Sequence, residues 1–469
     1  MPTEPATEPV TESLTEPATG SVTEALTGWG RTAPTVARVV RPRTYEEAAA
    51  AVRACGARGA VARGLGRAYG DAAQNAGGAV LDMTALARVR SLDADAGVVV
   101  CDAGVSLHHL MEVLLPLGWF VPVTPGTRHV TVGGAVAADI HGKNHHVSGS
   151  FTHHVRALEL LTADGEIRTV APGTELFDAT AGGMGLTGVI LAATVRLLPV
   201  ETSLMSVDTE RAADLDDLMA RLTATDHRYR YSVAWIDLLA RGAATGRAVL
   251  TRGDHAPYDA LPARARRRPL AFRTGQLPPP PHLPSRDGLL SRSGVRAFNA
   301  LWYRKAPRRP RTGQLQPIPA FFHPLDGVPH WNRVYGRAGF VQYQFVVPYG
   351  REDALRRIVH RIARRRCPSF LAVLKRFGEA GSGWLSFPMP GWTLALDIPA
   401  GLPGLGAFLD ELDEEVAGAG GRVYLAKDSR MRPETLRAMY PRLPDFLALR
   451  GRLDPGSVFT SDLARRLGL

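Results

Sequence analysis

The sequence is short of cysteine. Its 469 residues hold three, Cys55, Cys101 and Cys367, widely spaced and without a CxxC pair. This excludes a disulfide scaffold and a cysteine-ligated zinc site, and reads as ordinary thiols in a reducing compartment. Long apolar runs are missing too. The most apolar stretch, residues 189–200, is broken by Arg196, well short of the ~18–20 residues that span a bilayer. No basic segment followed by an apolar core opens the chain, so no Sec-type leader is expected, and a cytoplasmic location is expected with the periplasmic side of the inner membrane left open. Residues 1–28 lack basic and aromatic residues altogether; they repeat TEPA-like units and carry Glu4, Glu8, Glu12, Glu16 and Glu24. Such a composition buries too little apolar surface to offset its chain entropy, so a disordered acidic tail is expected over 1–28.

What is present is an ordinary globular balance, 45% hydrophobic and 22% charged, with 48 glycines and 35 prolines that announce many turns. At ~100–200 residues per domain the length suggests two or three domains. Beyond the tail, 56 basic residues face 40 acidic ones, a charge of +16. A basic body favours anionic partners, but no nucleic-acid motif accompanies it, so nucleic acid is not expected.

The first half reads as mixed α and β. Thr44 caps a helix over 45–54 with Glu46 and Glu47 in its first turn. Strands are expected at 60–62, 79–82 and 97–103, and a helix at 106–115. Residues 158–162 and 166–170 flank Ala163-Asp164-Gly165, a hairpin turn, and 188–198 is a β-rich run. Past about residue 200 the character changes. A helix over 204–220 and a strand over 229–236 open a second unit. Residues 253–320, rich in Arg and Pro, suggest long mobile loops with a positive field. Strands follow at 340–347, 370–374, 394–398 and 422–425, with helices at 352–366 and 405–417. Short helices around 433–439, 444–450 and 463–467 close the chain.

Several motifs carry chemistry. Gly183-Met184-Gly185-Leu186-Thr187-Gly188 fits GxGxxG, but a helix precedes it and a strand follows, the reverse of a dinucleotide fingerprint. The loop from Arg63 to Asp71 places Gly64, Gly66 and Gly70 in quick succession, and such a loop exposes amides that hold a pyrophosphate, with Arg67 adding charge. A second glycine-rich site runs from Pro125-Gly126-Thr127 through Thr131-Val132-Gly133-Gly134 to Asp139-Ile140-His141. Two such loops about 60 residues apart suggest one long diphosphate cofactor. His141, beside that loop, suits cofactor contact or proton handling. His145, His146, His153 and His154 lack a supporting acidic or cysteine cluster, so no metal site is expected. Lys427 and Lys375 each end a predicted strand; buried in a cleft, either becomes a usable base or anion ligand. Gln342 and Gln344 share one face of their strand, and two buried amides need polar partners such as a sugar.

The segments RGLGRAYGDAAQN, VPVTPGTRHVTVGGAVAADIHGKNHH, ELFDATAGGMGLTG, WYRK, FFHPLDGVPHWNRVYGRAGFVQYQF, LSFPMPGW and YLAKDSR resemble the vanillyl-alcohol-oxidase-like FAD enzymes. The match runs from about Trp29 to Leu469 and is strongest to the branch that oxidises prenyl-phosphoryl ribose for cell-wall arabinan. The resemblance implies an α+β, two-domain fold: a split FAD-binding domain (29–200, with 422–469 returning to it) and an antiparallel-sheet substrate domain (201–421). It implies that Gly64, Leu65, Gly66, Arg67, Ala68 and Tyr69 hold the pyrophosphate, with Ala62 and Arg63 also binding the cofactor. Gly126, Thr131, Val132, Gly133, Gly134, Ala138, Asp139, Ile140, His141, Val189 and Tyr424 would line the rest of the flavin. Tyr69, His141, Trp235, Arg333, Gln342, Gln344, Lys375 and Lys427 would surround the sugar or its phosphate, with Lys427, or less readily His141, as base and hydride passing to flavin N5. No histidine stands in the loop Leu65-Gly66-Arg67, so non-covalent FAD is implied. Two positions depart from mycobacterial members, Ala395 for a cysteine and Phe322 for a tyrosine; neither removes a hydride-transfer group. The implied partners are a polyprenyl-phosphoryl sugar, a short-chain reductase completing epimerisation, and a membrane surface met peripherally. The alternative is an oxidase of a free sugar, alditol or lactone.

Overall fold

The computed structural model describes residues 20–275, 277–281 and 290–469; most of the acidic tail therefore lies outside the described residues. Thr35–Val40, Ala79–Asp82 and Ala60–Arg63 pair in parallel. Parallel neighbours require a crossover, and the helix Tyr45–Arg53 supplies it after Thr35–Val40, its first turn capped by Thr44 Oγ1 accepting from the Glu47 amide at 3.2 Å. The expected tail does not extend to residue 28. Val22–Leu26 is an antiparallel edge strand on Thr35–Val40, held further by Arg41 donating to Glu24 at 2.7 Å. Backbone pairing to a ready edge needs no aromatic core, which composition alone does not weigh.

A second, antiparallel sheet runs in the order Val89–Asp93, Val98–Asp102, Val189–Arg196, Val155–Leu161, Ile167–Val170. The end of the chain returns to the first sheet. Ala60 donates to Val458 O at 2.7 Å and accepts from the Thr460 amide at 2.9 Å. Phe459 is buried in one cluster with Val40, Ala60 and Leu81. The return begins one step later than 422, because Arg422–Val423 still pairs with Phe340–Pro348 in the substrate-side sheet.

That third sheet has eight strands, in the order Arg311–Pro317, Leu204–Ala212, Ala248–His255, Tyr231–Ile236, Ala372–Phe377, Gly391–Pro399, Phe340–Pro348, Arg422–Val423. The helices Leu215–Thr225, Glu352–Arg365 and Leu405–Gly418 bury Leu218, Leu222, Leu355, Ile358, Leu409 and Leu412 in one core with Phe345 and Leu374 of the sheet. The period of two sends alternate residues to the other face. Gln314 and Gln316, Val249 and Thr251, Val233 and Trp235, Val373 and Lys375, and Gln342 and Gln344 all line a cavity there. The architecture is the expected α+β arrangement of two domains.

Two sequence expectations give way. Residues 204–220 are a strand followed by a helix: Met205 and Val207 alternate into the core, and the helix starts only after Asp214, whose side chain caps it. The segment 253–320 is not simply mobile loop. It contains the helix Arg292–Lys305, capped by Ser291, and the sheet-edge strand Arg311–Pro317. The helix buries only Val295 and Asn299, and Asn299 reaches Asp237 Oδ1 at 2.9 Å. So thin a buried stripe is hidden by the surrounding arginines.

Candidate active site

The site forms where three segments distant in sequence meet. A Cβ at Gly64 would fall 2.2 Å from Thr131 Oγ1, so only glycine lets the first loop lie against the start of the helix Val132–Ala137. Gly66 sits at φ +64°, the left-handed region that glycine enters without penalty. From the returning C-terminal segment, Ala426 O accepts from the Tyr69 amide at 2.9 Å, and Tyr424 Oη donates to Ala138 O at 2.7 Å. Among the described residues, the amides of Leu65, Gly66, Arg67 and Ala68 meet no acceptor. A cavity of about 780 Å³ begins at this cradle and extends along the polar face of the eight-stranded sheet.

Lysine marks that cavity. The chain has four lysines against 52 arginines, and Lys143, Lys305, Lys375 and Lys427 all line it. Lysine changes protonation when desolvated, whereas arginine stays charged. Lys427 Nζ lies 3.7 Å from the Tyr69 ring centroid. Burial lowers its pKa to about 7; the Asp397 carboxylate opposes this and Lys375 adds to it. Burial alone brings Lys375 to about 8. Lys143 donates to Phe321 O and is held near 7 by burial and by Lys375.

Behind this row stands Asp397. Gln342 Nε2 donates to its Oδ1 at 2.6 Å and Tyr335 Oη to its Oδ2 at 3.4 Å. Burial raises the carboxyl to about 7, against the pull of Gln342, Lys427 and Tyr335. His141 sits among Phe377, Phe387 and Tyr424, with ring centroids 4.8, 5.6 and 5.2 Å away. Its Nε2 lies 2.9 Å from Gln344 Nε2, so the amide donates and the ring is neutral. Burial first, then Lys375, His145 and Lys427, hold its pKa well below the usual histidine range. Its Nδ1 is buried without a hydrogen-bond partner among the described residues.

Most expected site residues meet here. Ala62, Arg63, Gly64, Leu65, Gly66, Arg67, Ala68, Tyr69, Gly126, Thr131, Gly133, Gly134, Ala138, Ile140, His141, Trp235, Gln342, Gln344, Lys375, Tyr424 and Lys427 line the cavity. Four do not. Val132 and Val189 are core residues beneath it, while the neighbours Gly133, Gly188 and Ile190 line it. Asp139 turns its carboxylate away, accepting from Ser150 Oγ, Thr152 Oγ1 and Ser386 Oγ. Arg333 lies in the short helix Trp331–Tyr335, and Trp331 lines the cavity instead. Sequence reasoning missed Lys143 and Asp397. The rarity of lysine was a signal for the first; nothing local marks the second, whose role depends on its cross-strand partner Gln342.

Comparison with known proteins agrees with this geometry. Residues 36–171 match the FAD binding domain model and residues 346–467 match the D-arabinono-1,4-lactone oxidase model. The chain is 47% identical, over 94% of its length and 97% of the relative's, to decaprenylphosphoryl-beta-D-ribose oxidase of Mycolicibacterium smegmatis. It belongs to the vanillyl-alcohol-oxidase-like FAD oxidoreductases. Within this flavoprotein family it is also 57% identical to an uncharacterized protein of the mprA 5′ region in Streptomyces coelicolor, over 78% of this chain and all of that one. Alditol oxidase of a Streptomyces species is 28% identical over 94% of this chain and 98% of its own. The cavity suits FAD. Added Cβ atoms at Gly126 and Gly185 would meet nothing within 4 Å, so bare backbone faces the space a flat ring system needs. The unpaired amides of 65–68 suit a pyrophosphate. FAD is the cofactor of this family, and the chain is an FAD-dependent oxidoreductase.

Proposed function

We propose that this flavoprotein oxidises the C2′ hydroxyl of decaprenylphosphoryl-β-D-ribose, or a similar polyprenyl-phosphoryl ribose, to the 2′-ketone. The carrying observation is that Lys427, with a pKa near 7 and its Nζ 3.7 Å from the Tyr69 ring centroid, lines one cavity with the glycine-rich loops and with Gln342 and Gln344. The resemblance to the M. smegmatis oxidase over nearly the whole chain supports the same substrate class.

The reaction removes a hydride from C2′ and a proton from its oxygen; FAD, when bound, takes the hydride. The chain's own residues handle the rest. Neutral Lys427 accepts the hydroxyl proton, and Asp397 offsets the ammonium charge that results. His141 is the weaker base, because burial and, after it, the nearby lysines oppose its protonation and its Nε2 already accepts from Gln344. Gln342 and Gln344, held by Asp397 and by His141 with Thr393, present amides that orient the sugar. A substrate phosphate would keep Lys375 and Lys143 charged. The charge on Lys375 in turn favours the neutral form of Lys427, the form able to accept a proton. The product is a ketone, so epimerisation needs a second, reducing enzyme, for which a short-chain reductase is the expected partner. The prenyl tail places the substrate at a membrane surface, where the protein would act peripherally. No helix among the described residues is long and apolar enough to cross a membrane.

Replacing Lys427 by Ala tests the assignment. The variant should retain FAD and lose its anaerobic reduction by substrate by about 10²–10⁴-fold, the usual weight of a general base. Near-normal reduction would remove Lys427 from that role.

A further inference from the structure

The helix Arg292–Lys305 has two apolar sides, and only one is used. Val295 and Asn299 face the protein. Phe298, Leu301, Trp302 and Lys305, at the i, i+3, i+4, i+7 spacing of one stripe, stay largely exposed, although Phe298 meets the Phe370 ring edge-on at 6.1 Å and Trp302 and Lys305 border the cavity. Leu301 is 68% exposed, Phe298 44% and Trp302 42%. Phe298 and Trp302 stack at 6.1 Å, 18° from parallel, so the stripe is a continuous ridge. A contiguous exposed apolar ridge on a water-facing helix marks a contact surface.

Its surroundings select the partner. Residues 290–325 contain seven Arg or Lys and no Asp or Glu. A second copy would bring the same positive charge to the same face, so self-association is opposed. An anionic lipid surface complements it: apolar side chains enter the interface while cations meet the headgroups. Trp302, Lys305 and Arg311 also line the cavity. We propose that Phe298, Leu301 and Trp302 insert into an anionic bilayer, seating the cavity mouth at the lipid surface. This rests on the prenyl-lipid reading above and assigns its docking face.

The test uses the full-length flavoprotein and vesicles. Binding to 1:1 phosphatidylglycerol–phosphatidylcholine vesicles should exceed binding to pure phosphatidylcholine and weaken with salt. Leu301→Glu, and separately Phe298→Ser, should lower binding by about tenfold through lost insertion and added repulsion. Both positions are exposed and outside the cavity, so turnover of a water-soluble short-chain prenyl-phosphoryl ribose should match the unmutated protein. Equal binding to both vesicle types, or undiminished binding by Leu301→Glu, would overturn the docking face. So would a dimer that Leu301→Glu dissociates while vesicle binding persists. Failure of the unmutated protein to oxidise any prenyl-phosphoryl ribose would refute the functional reading instead, and the vesicle result would still decide the docking face.

Discussion

Burial moves Lys427 and Asp397 to about 7 from opposite sides: it lowers the pKa of the amine and raises that of the acid. A base must be unprotonated to act, so single-turnover flavin reduction should rise with pH through a limb near 7. Three groups set the field at Lys427: the Asp397 carboxylate raises its pKa, the Lys375 ammonium lowers it, and the Tyr69 ring covers it. Asp397→Asn should therefore move the limb to lower pH and Lys375→Gln to higher pH. Stopped-flow rates across pH 5–9 check both signs, and shifts in the same direction would contradict the account. At this scale the sequence was partly legible. Lys427, Lys375, Gln342 and Gln344 could be singled out from strand ends and period-two spacing. Lys143 needed the count of lysines to be weighed, and Asp397 needed the register that puts it across from Gln342. Asp139 misled because its place beside His141 is visible in the sequence and its side-chain direction is not.

Among elements, the two glycine-rich loops are the clearest case of sequence carrying structure. The expected loops exist and touch at Gly64 and Thr131. Gly64→Ala would drive a methyl into the Thr131 hydroxyl and push the loops apart. The purified variant should hold less FAD per chain, read from its flavin absorbance against protein; full occupancy would contradict the cradle. Elements with turn or cap punctuation were found close to their observed bounds, such as Tyr45–Arg53 behind Thr44 and Pro433–Met439. Where long-range pairing or a narrow buried stripe decides, composition gave the wrong answer. Val22–Leu26 is a strand because an edge is available, and Arg292–Lys305 is an ordered helix although it buries few of its side chains.

For the molecule as a whole, the C-terminal return does more than complete a sheet. Arg466 bonds both oxygens of Asp71, at 2.8 and 2.9 Å, and meets Asp428 Oδ2 at 2.9 Å. It thus ties the segment after the flavin cradle to the turn that carries Lys427. These carboxylates are largely shielded from solvent, so removing the arginine leaves Asp71 without its ion-pair partner and Asp428 with only the Arg430 and Met431 amides. Arg466→Ala should cost about 3 kcal/mol, seen as a lower denaturation midpoint together with weaker FAD retention; an unchanged midpoint would argue that the tie is dispensable. The two-domain plan was legible because so many long segments resemble one family in order. The tie itself was not, since Arg466 stands 395 residues from Asp71.

The most direct test of the central claim is the absorption spectrum of the purified protein under anaerobic conditions, before and after adding prenyl-phosphoryl ribose. Flavin bands should be present and should bleach on addition, with no comparable bleaching by an alditol or free pentose. Flavin bands that persist with prenyl-phosphoryl ribose and bleach with an alditol would contradict the proposed substrate and make this chain an oxidase of free polyols.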